Sequence, residues 1–207
     1  MSEERKYTIG EEIANAISHT IGAMFAIYAI VMLAVLSKNP VQTASTAIFG
    51  ATMFILFQSS ACYHAITNET AKKVFQRIDH SAIYILIAGT YTPILMLTVP
   101  FPYSVALLAI IWYLAITGVV FSCISLKCKY IATGLYLLMG WMSLLLFYFI
   151  WTNGSHMAVW LLLGGGVLYS VGAIIYLLKY KYMHSIWHLF VLGGVIMHYL
   201  SILELLR

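Results

Sequence analysis

Apolar residues run through this chain in long blocks separated by short polar breaks, with almost no soluble-type alternation. The blocks fall at residues 13–36, 44–66, 80–99, 103–125, 130–151, 156–178 and 184–206. Each is close to the ~20 residues an α-helix needs to cross a bilayer. The pattern predicts an all-α integral membrane protein: seven transmembrane helices in one domain spanning residues 1–207, with a short polar N-terminal segment, 1–12. That segment (MSEERKYTIGEE) is too polar for a cleavable signal, so the first apolar block is expected to act as its own insertion signal. Thr8 and Glu11 have capping-box spacing and should open the first helix. Residues 67–78 (TNETAKKVFQRI) form the one sizeable polar connection, expected as a short amphipathic turn at the membrane surface. Pro93 should kink the third span. Small residues at Gly22 and Ala26, at Gly166 and Ser170, and in the run Gly164, Gly165 and Gly166 should let helices approach closely.

Composition agrees with this pattern and adds orientation. The chain is 62% hydrophobic and 9% charged, with mean hydropathy +0.92, outside the range of soluble domains. Nine of the eleven Lys and Arg (Arg5, Lys6, Lys72, Lys73, Arg77, Lys127, Lys129, Lys179, Lys181) fall on one side of the predicted topology. Lys38 and Arg207 fall on the other. The positive-inside bias therefore predicts a cytosolic N-terminus and an external C-terminus. The excess charge reports contact with anionic lipid headgroups and excludes nucleic acid as a partner. Cys62, Cys123 and Cys128 make no disulfide framework and read as free thiols filling apolar space.

Sorting the polar residues by depth brings four helices to one level. His64 lies near the cytosolic end of the second span; Asp79 and His80 stand at the mouth of the third. Glu12, Asn15 and His19 occupy one face at the start of the first. His184 opens the seventh, and His188 follows on the same face, about 6 Å deeper. His64, His184 and His188 together supply three imidazoles. Zinc held by three protein ligands keeps a fourth position for water, the pattern of catalytic sites. Other divalent ions also accept imidazole ligands. Asp79 could bind the ion or act as general base, and Ser60, one turn from His64 in SSACYH, could orient a ligand, water or substrate carbonyl. Glu12, Asn15 and His19 read as a surrounding hydrogen-bond network. His156, on the external side, reads as an interfacial residue. His198, about 21 Å along the helix from His184, lies too far away to join.

The strings EEIANAISHTIG, SSACYH, RIDHSAIYILIAGTYTP, MGWM, GGGVLYSVGAIIY and HSIWHLFVLGG closely resemble the haemolysin III family. That family is the bacterial branch of the progestin and adipoQ receptor superfamily. The resemblance extends over about residues 11–206. It implies a seven-helix fold with the N-terminus inside and zinc near the cytosolic face on His64, His184 and His188. Asp79 would stand beside the water position with Ser60 close by. By analogy with the ceramidase activity of the adiponectin-receptor branch, it also implies hydrolysis of a lipid amide. The family's name reflects cytolytic activity attributed to some members. The long soluble N-terminal region of the eukaryotic receptors is absent, so hormone recognition does not carry over. His80, following Asp79 in a DHS string, bears on proton handling.

Three functions follow from these residues: a plasma-membrane zinc hydrolase of a lipid amide or ester, a sensor or receptor pinned by structural zinc, and a pore-forming cytolysin. The residues specify neither the substrate nor the oligomeric state.

Overall fold

The computed structural model describes residues 7–124 and the chain from 129 onward; Arg5, Lys6, Lys127 and Cys128 lie outside the described residues. The described residues form helices joined by short turns, with no strand among them. Seven helical stretches are long and apolar enough to span a membrane. They comprise α1 (Ile9–Leu36), α2 (Pro40–Ala65), α3 (Glu69–Thr98), α4 (Tyr103–Ile124), a fifth span built from α5 (Lys129–Trp141) and α6 (Phe147–Asn153), α7 (His156–Leu177) and α8 (Met183–Leu206). The chain is a multi-pass membrane protein.

Helix starts are set by capping residues more than by hydropathy. Thr8 and Glu11 form the expected capping box of α1. Asn39 caps α2 by accepting from the Gln42 N–H, and Pro40 sits in the first turn, so this helix starts before the apolar block does. The largest departure from expectation is in α3. Asn68 accepts from the Ala71 N–H and starts a helix that runs without a break to Thr98. Residues 69–78 are thus the first turns of the third span rather than a separate surface turn. Their Ala, Lys, Gln and Arg content favours helix and contains no breaker. The helix also continues through Pro93.

The fifth span departs in the opposite way. A 3₁₀ stretch, Met142–Leu146, separates α5 from α6. Such a change of winding leaves carbonyls without their usual α-helical donors, which is costly in a membrane. Tyr91 on α3 meets that need: its hydroxyl donates to the Met139 and Gly140 carbonyls, at 2.8 and 2.9 Å.

α3 is the central helix. Its apolar window is 72% buried, against 22–44% for the other spans. The threonines in its buried half donate to their own backbone: Thr90 to Leu86, Thr92 to Ala88 and Thr98 to Ile94. α1 shows the inverted amphipathicity of a membrane helix. Glu11, Asn15, His19, Gly22, Ala26, Ala29 and Leu33 form its buried stripe, while Ile13, Ile17, Ile21, Met24 and Val31 face outward. Gly22 is required there because a Cβ would lie 2.5 Å from the Phe57 ring.

The start of α1, the end of α2 and the starts of α3 and α8 meet at one end of the bundle, beside Lys72, Lys73, Arg77, Lys179 and Lys181. The opposite end is closed by Lys38, whose Nζ donates to the Arg207 carbonyl at 3.1 Å.

Candidate metal centre

Two helix termini, the end of α2 and the start of α8, bring His64, His184 and His188 together at the lysine-rich end. One ring nitrogen from each lies within 4.8 Å of the other two. The Nε2 atoms of His64 and His184 are 3.2 Å apart. Two nitrogens bound to a tetrahedral zinc at about 2.0–2.1 Å would be separated by roughly 3.3 Å. His64 and His188 are buried, while His184 is partly exposed.

Hydrogen bonds from α1 set which nitrogen His64 and His188 present. Nδ1 of His64 donates to the Glu12 carboxylate at 2.6 Å, with Asn15 Nδ2 at 3.4 Å. Glu12 is also paired with Lys72 at 2.8 Å. With the Nδ1 proton so engaged, the Nε2 lone pair of His64 faces His184. Ser18 Oγ donates to the Asn15 carbonyl at 2.8 Å and lies 3.0 Å from His188 Nδ1. The serine oxygen therefore accepts from that ring and leaves His188 Nε2 deprotonated. That nitrogen is buried with no partner. This is the tautomer pattern that outer hydrogen bonds impose on metal-binding imidazoles. An orphaned buried acceptor costs about 1–3 kcal/mol, which a cation at this point would offset. The donor set and the orphaned nitrogen fit a zinc ion.

The other expected site residues gather around this cluster. His19 stacks on His188 with ring centroids 3.5 Å apart, and both of its nitrogens are buried without partners. Asp79 is buried, within electrostatic reach of His64 and Ser60, and its Oδ2 lies 3.7 Å from His80 Nδ1. Ser60 is fully buried and its hydroxyl has no partner of good geometry. His80 turns away: its Nδ1 donates to the Gln76 carbonyl at 2.8 Å, and its own carbonyl accepts from Tyr136. His156 is exposed and stacks on Trp151. His198 stays out of the cluster, its Nε2–H donating to the Leu162 carbonyl at 3.2 Å.

Several participants carried no clear sequence signal. Glu11, rather than Glu12, continues the stripe through Asn15 and His19. Its carboxylate accepts from Thr8 and, at 2.9 Å, from the backbone N–H of Tyr182. Tyr182 is left-handed (φ 63°) and begins α8 with no side-chain cap. Glu11 thus holds the entry to α8 two residues before His184. Ser185 donates to Asn15 Oδ1 at 2.5 Å. Tyr7 lays its ring against His184, centroids 4.9 Å apart. The four-residue spacing of 11, 15 and 19 could have found Glu11; Ser185 and Tyr7 had no comparable pattern.

An apolar cavity of about 140 Å³ opens beside the cluster and runs into the bundle between α3, α5, α7 and α8. His19, Asp79 and His80 line its polar end; Ile94, Leu162 and His198 line its inner end.

A seven-helix membrane bundle with a three-histidine cluster beside an apolar cavity defines the class of protein. The family model described as "Haemolysin-III related" matches residues 7–199, and the chain belongs to that family. It is 44% identical to Hemolysin-3 of Bacillus cereus over 201 residues, 94% of this chain and 91% of that protein. A Hemolysin-3 homolog of Bacillus subtilis (strain 168) is 43% identical over 194 residues, 91% of each chain. The human Monocyte to macrophage differentiation factor is 27% identical over 205 residues, 95% of this chain and 85% of that protein. This more distant relation fits the progestin and adipoQ receptor superfamily.

Proposed function

We propose that the protein is a zinc-dependent hydrolase of an amide or ester bond in a membrane lipid, with its site in the cytosolic leaflet of the cell membrane. The observation that carries this reading is that Asp79 and His19, which stacks on His188 of the three-histidine cluster, line the polar end of an apolar cavity. His64, His184 and His188 would hold the ion, and bound zinc would supply Lewis-acid polarisation of the substrate carbonyl and activation of water.

Glu12 and Ser18 hold His64 and His188 in the tautomer that presents Nε2. Asp79 takes the proton from the attacking water and returns it to the leaving nitrogen or oxygen. Ser60, beside it, orients the substrate carbonyl. The cavity receives an acyl chain and excludes bulk water, which strengthens each polar contact at its mouth. The cytosolic assignment rests on the charge asymmetry between the two ends of the bundle.

The test is hydrolysis of a panel of lipid amides and esters by purified, zinc-loaded protein. Asp79→Asn should lower turnover by about 10²–10⁴-fold while retaining zinc. Full turnover in that variant would remove Asp79 from the chemistry.

One observation favours a second reading, a sensor in which zinc is a structural pin. α2 packs against α1 and α3, α8 packs mainly against α7, and the two touch each other only sparsely, so the histidine cluster is their main direct link. On that reading, zinc removal would lower thermal stability and no lipid would be consumed.

A further inference from the structure

The inner end of the cavity holds polar groups that the proposed chemistry does not use. His198 lies ten residues beyond His188 on α8, about 15 Å deeper along the helix. Gly165 on α7 lets it fit: a Cβ there would collide with the Cδ2–Nε2 edge of the imidazole. That edge is turned to α7, and its Nε2–H donates to the Leu162 carbonyl. The ring is therefore protonated on Nε2, and Nδ1, on the opposite edge, is an acceptor. Nδ1 is buried and has no partner.

Tyr169 stands edge-on to this ring, centroids 5.1 Å apart. Its ring packs where Gly194 leaves space on α8, and its hydroxyl has no hydrogen-bond partner among the described residues. Both residues line the cavity. Three other lining hydroxyls are spoken for: Tyr91 donates to the Met139 and Gly140 carbonyls, Tyr136 to the His80 carbonyl and Thr90 to the Leu86 carbonyl. A purely apolar chain would leave both His198 Nδ1 and the Tyr169 hydroxyl unmet.

We infer that His198 and Tyr169 form a hydroxyl-binding subsite, which selects a lipid chain carrying a hydroxyl about 15 Å beyond the histidine cluster. This rests on the reading above that the cavity takes a lipid chain. A hydroxyl suits the pair because it donates to His198 Nδ1 and accepts from Tyr169. A keto oxygen could accept from Tyr169 but would leave His198 unmet. The described lining contains no Lys or Arg, so no cationic side chain there would pair with a carboxylate or phosphate at that depth.

The test compares binding of stearic acid with hydroxystearic acid bearing its hydroxyl in mid-chain, by native mass spectrometry of the detergent-purified full chain. Wild type should bind the hydroxylated acid about tenfold more tightly, the value of one well-made hydrogen bond to a buried group. Tyr169→Phe, which removes only an oxygen, and His198→Phe should each lose that preference while binding stearic acid as wild type does. Tyr169→Phe keeps the test decisive if His198→Phe does not fold. Equal binding of both acids by wild type would overturn the subsite yet leave the lipid cavity standing. Binding of neither acid would overturn both. A preference that persists without any lipid hydrolysis would support the subsite and count against the hydrolase.

Discussion

The buried half of α3 and the lysine-rich end of the bundle both bury polar residues and use them differently. Thr90, Thr92 and Thr98 donate their hydroxyls to carbonyls of their own helix, and Thr92 also accepts from Trp112 on α4, so their donors are spent locally. At the lysine-rich end the bonds cross between helices, from α1 to α2 through Glu12 and His64 and from α1 to α8 through Asn15 and Ser185. There His188 Nε2, Ser60 Oγ and both nitrogens of His19 remain unmet. Polarity inside a membrane therefore does not by itself mark a site. Convergence from several helices, with valences left over, does.

Substitutions can sharpen this contrast. The largest effect after loss of the ligands themselves is expected from Glu12→Gln or Ser18→Ala, which weaken control of the His64 or His188 tautomer. Zinc affinity measured by competition with a chelator should fall about 10–100-fold. Unchanged affinity would make the α1 network mere packing. Gly22→Ala should act on stability, since the new methyl meets Phe57. A loss of about 1–3 kcal/mol is expected, read by thermal denaturation in detergent. Thr98→Val should do least, under about 1 kcal/mol with zinc affinity unchanged, because only a bond within its own helix is lost. A drop in zinc affinity there would break the division between the two regions.

Much of this arrangement was legible in the sequence because membrane burial leaves few choices. Seven apolar blocks can only be seven helices, and charged or imidazole groups at matching depths must converge or go unsatisfied. His64, His184 and His188 follow from that logic with the four-residue spacing on α8. The start of α3 was hidden because residues 69–78 are polar yet helical, and hydropathy measures burial in lipid rather than helix formation. The break at Met142–Leu146 was hidden for a different reason. Its stability depends on the Tyr91 hydroxyl, 48 residues away from Met139 in sequence, and no local pattern near MGWM announces it. Glu11 was read as a helix cap alone, whereas its second bond reaches the α7–α8 turn, a contact only the fold creates.

The central claim is that His64, His184 and His188 hold a metal ion. The direct test is the metal content of detergent-purified protein prepared without chelators, measured by elemental mass spectrometry beside the His184→Ala/His188→Ala double variant. The account predicts about one zinc per chain in the wild type and none in the variant. Metal-free wild type that is well folded would contradict it and make these histidines a polar packing cluster.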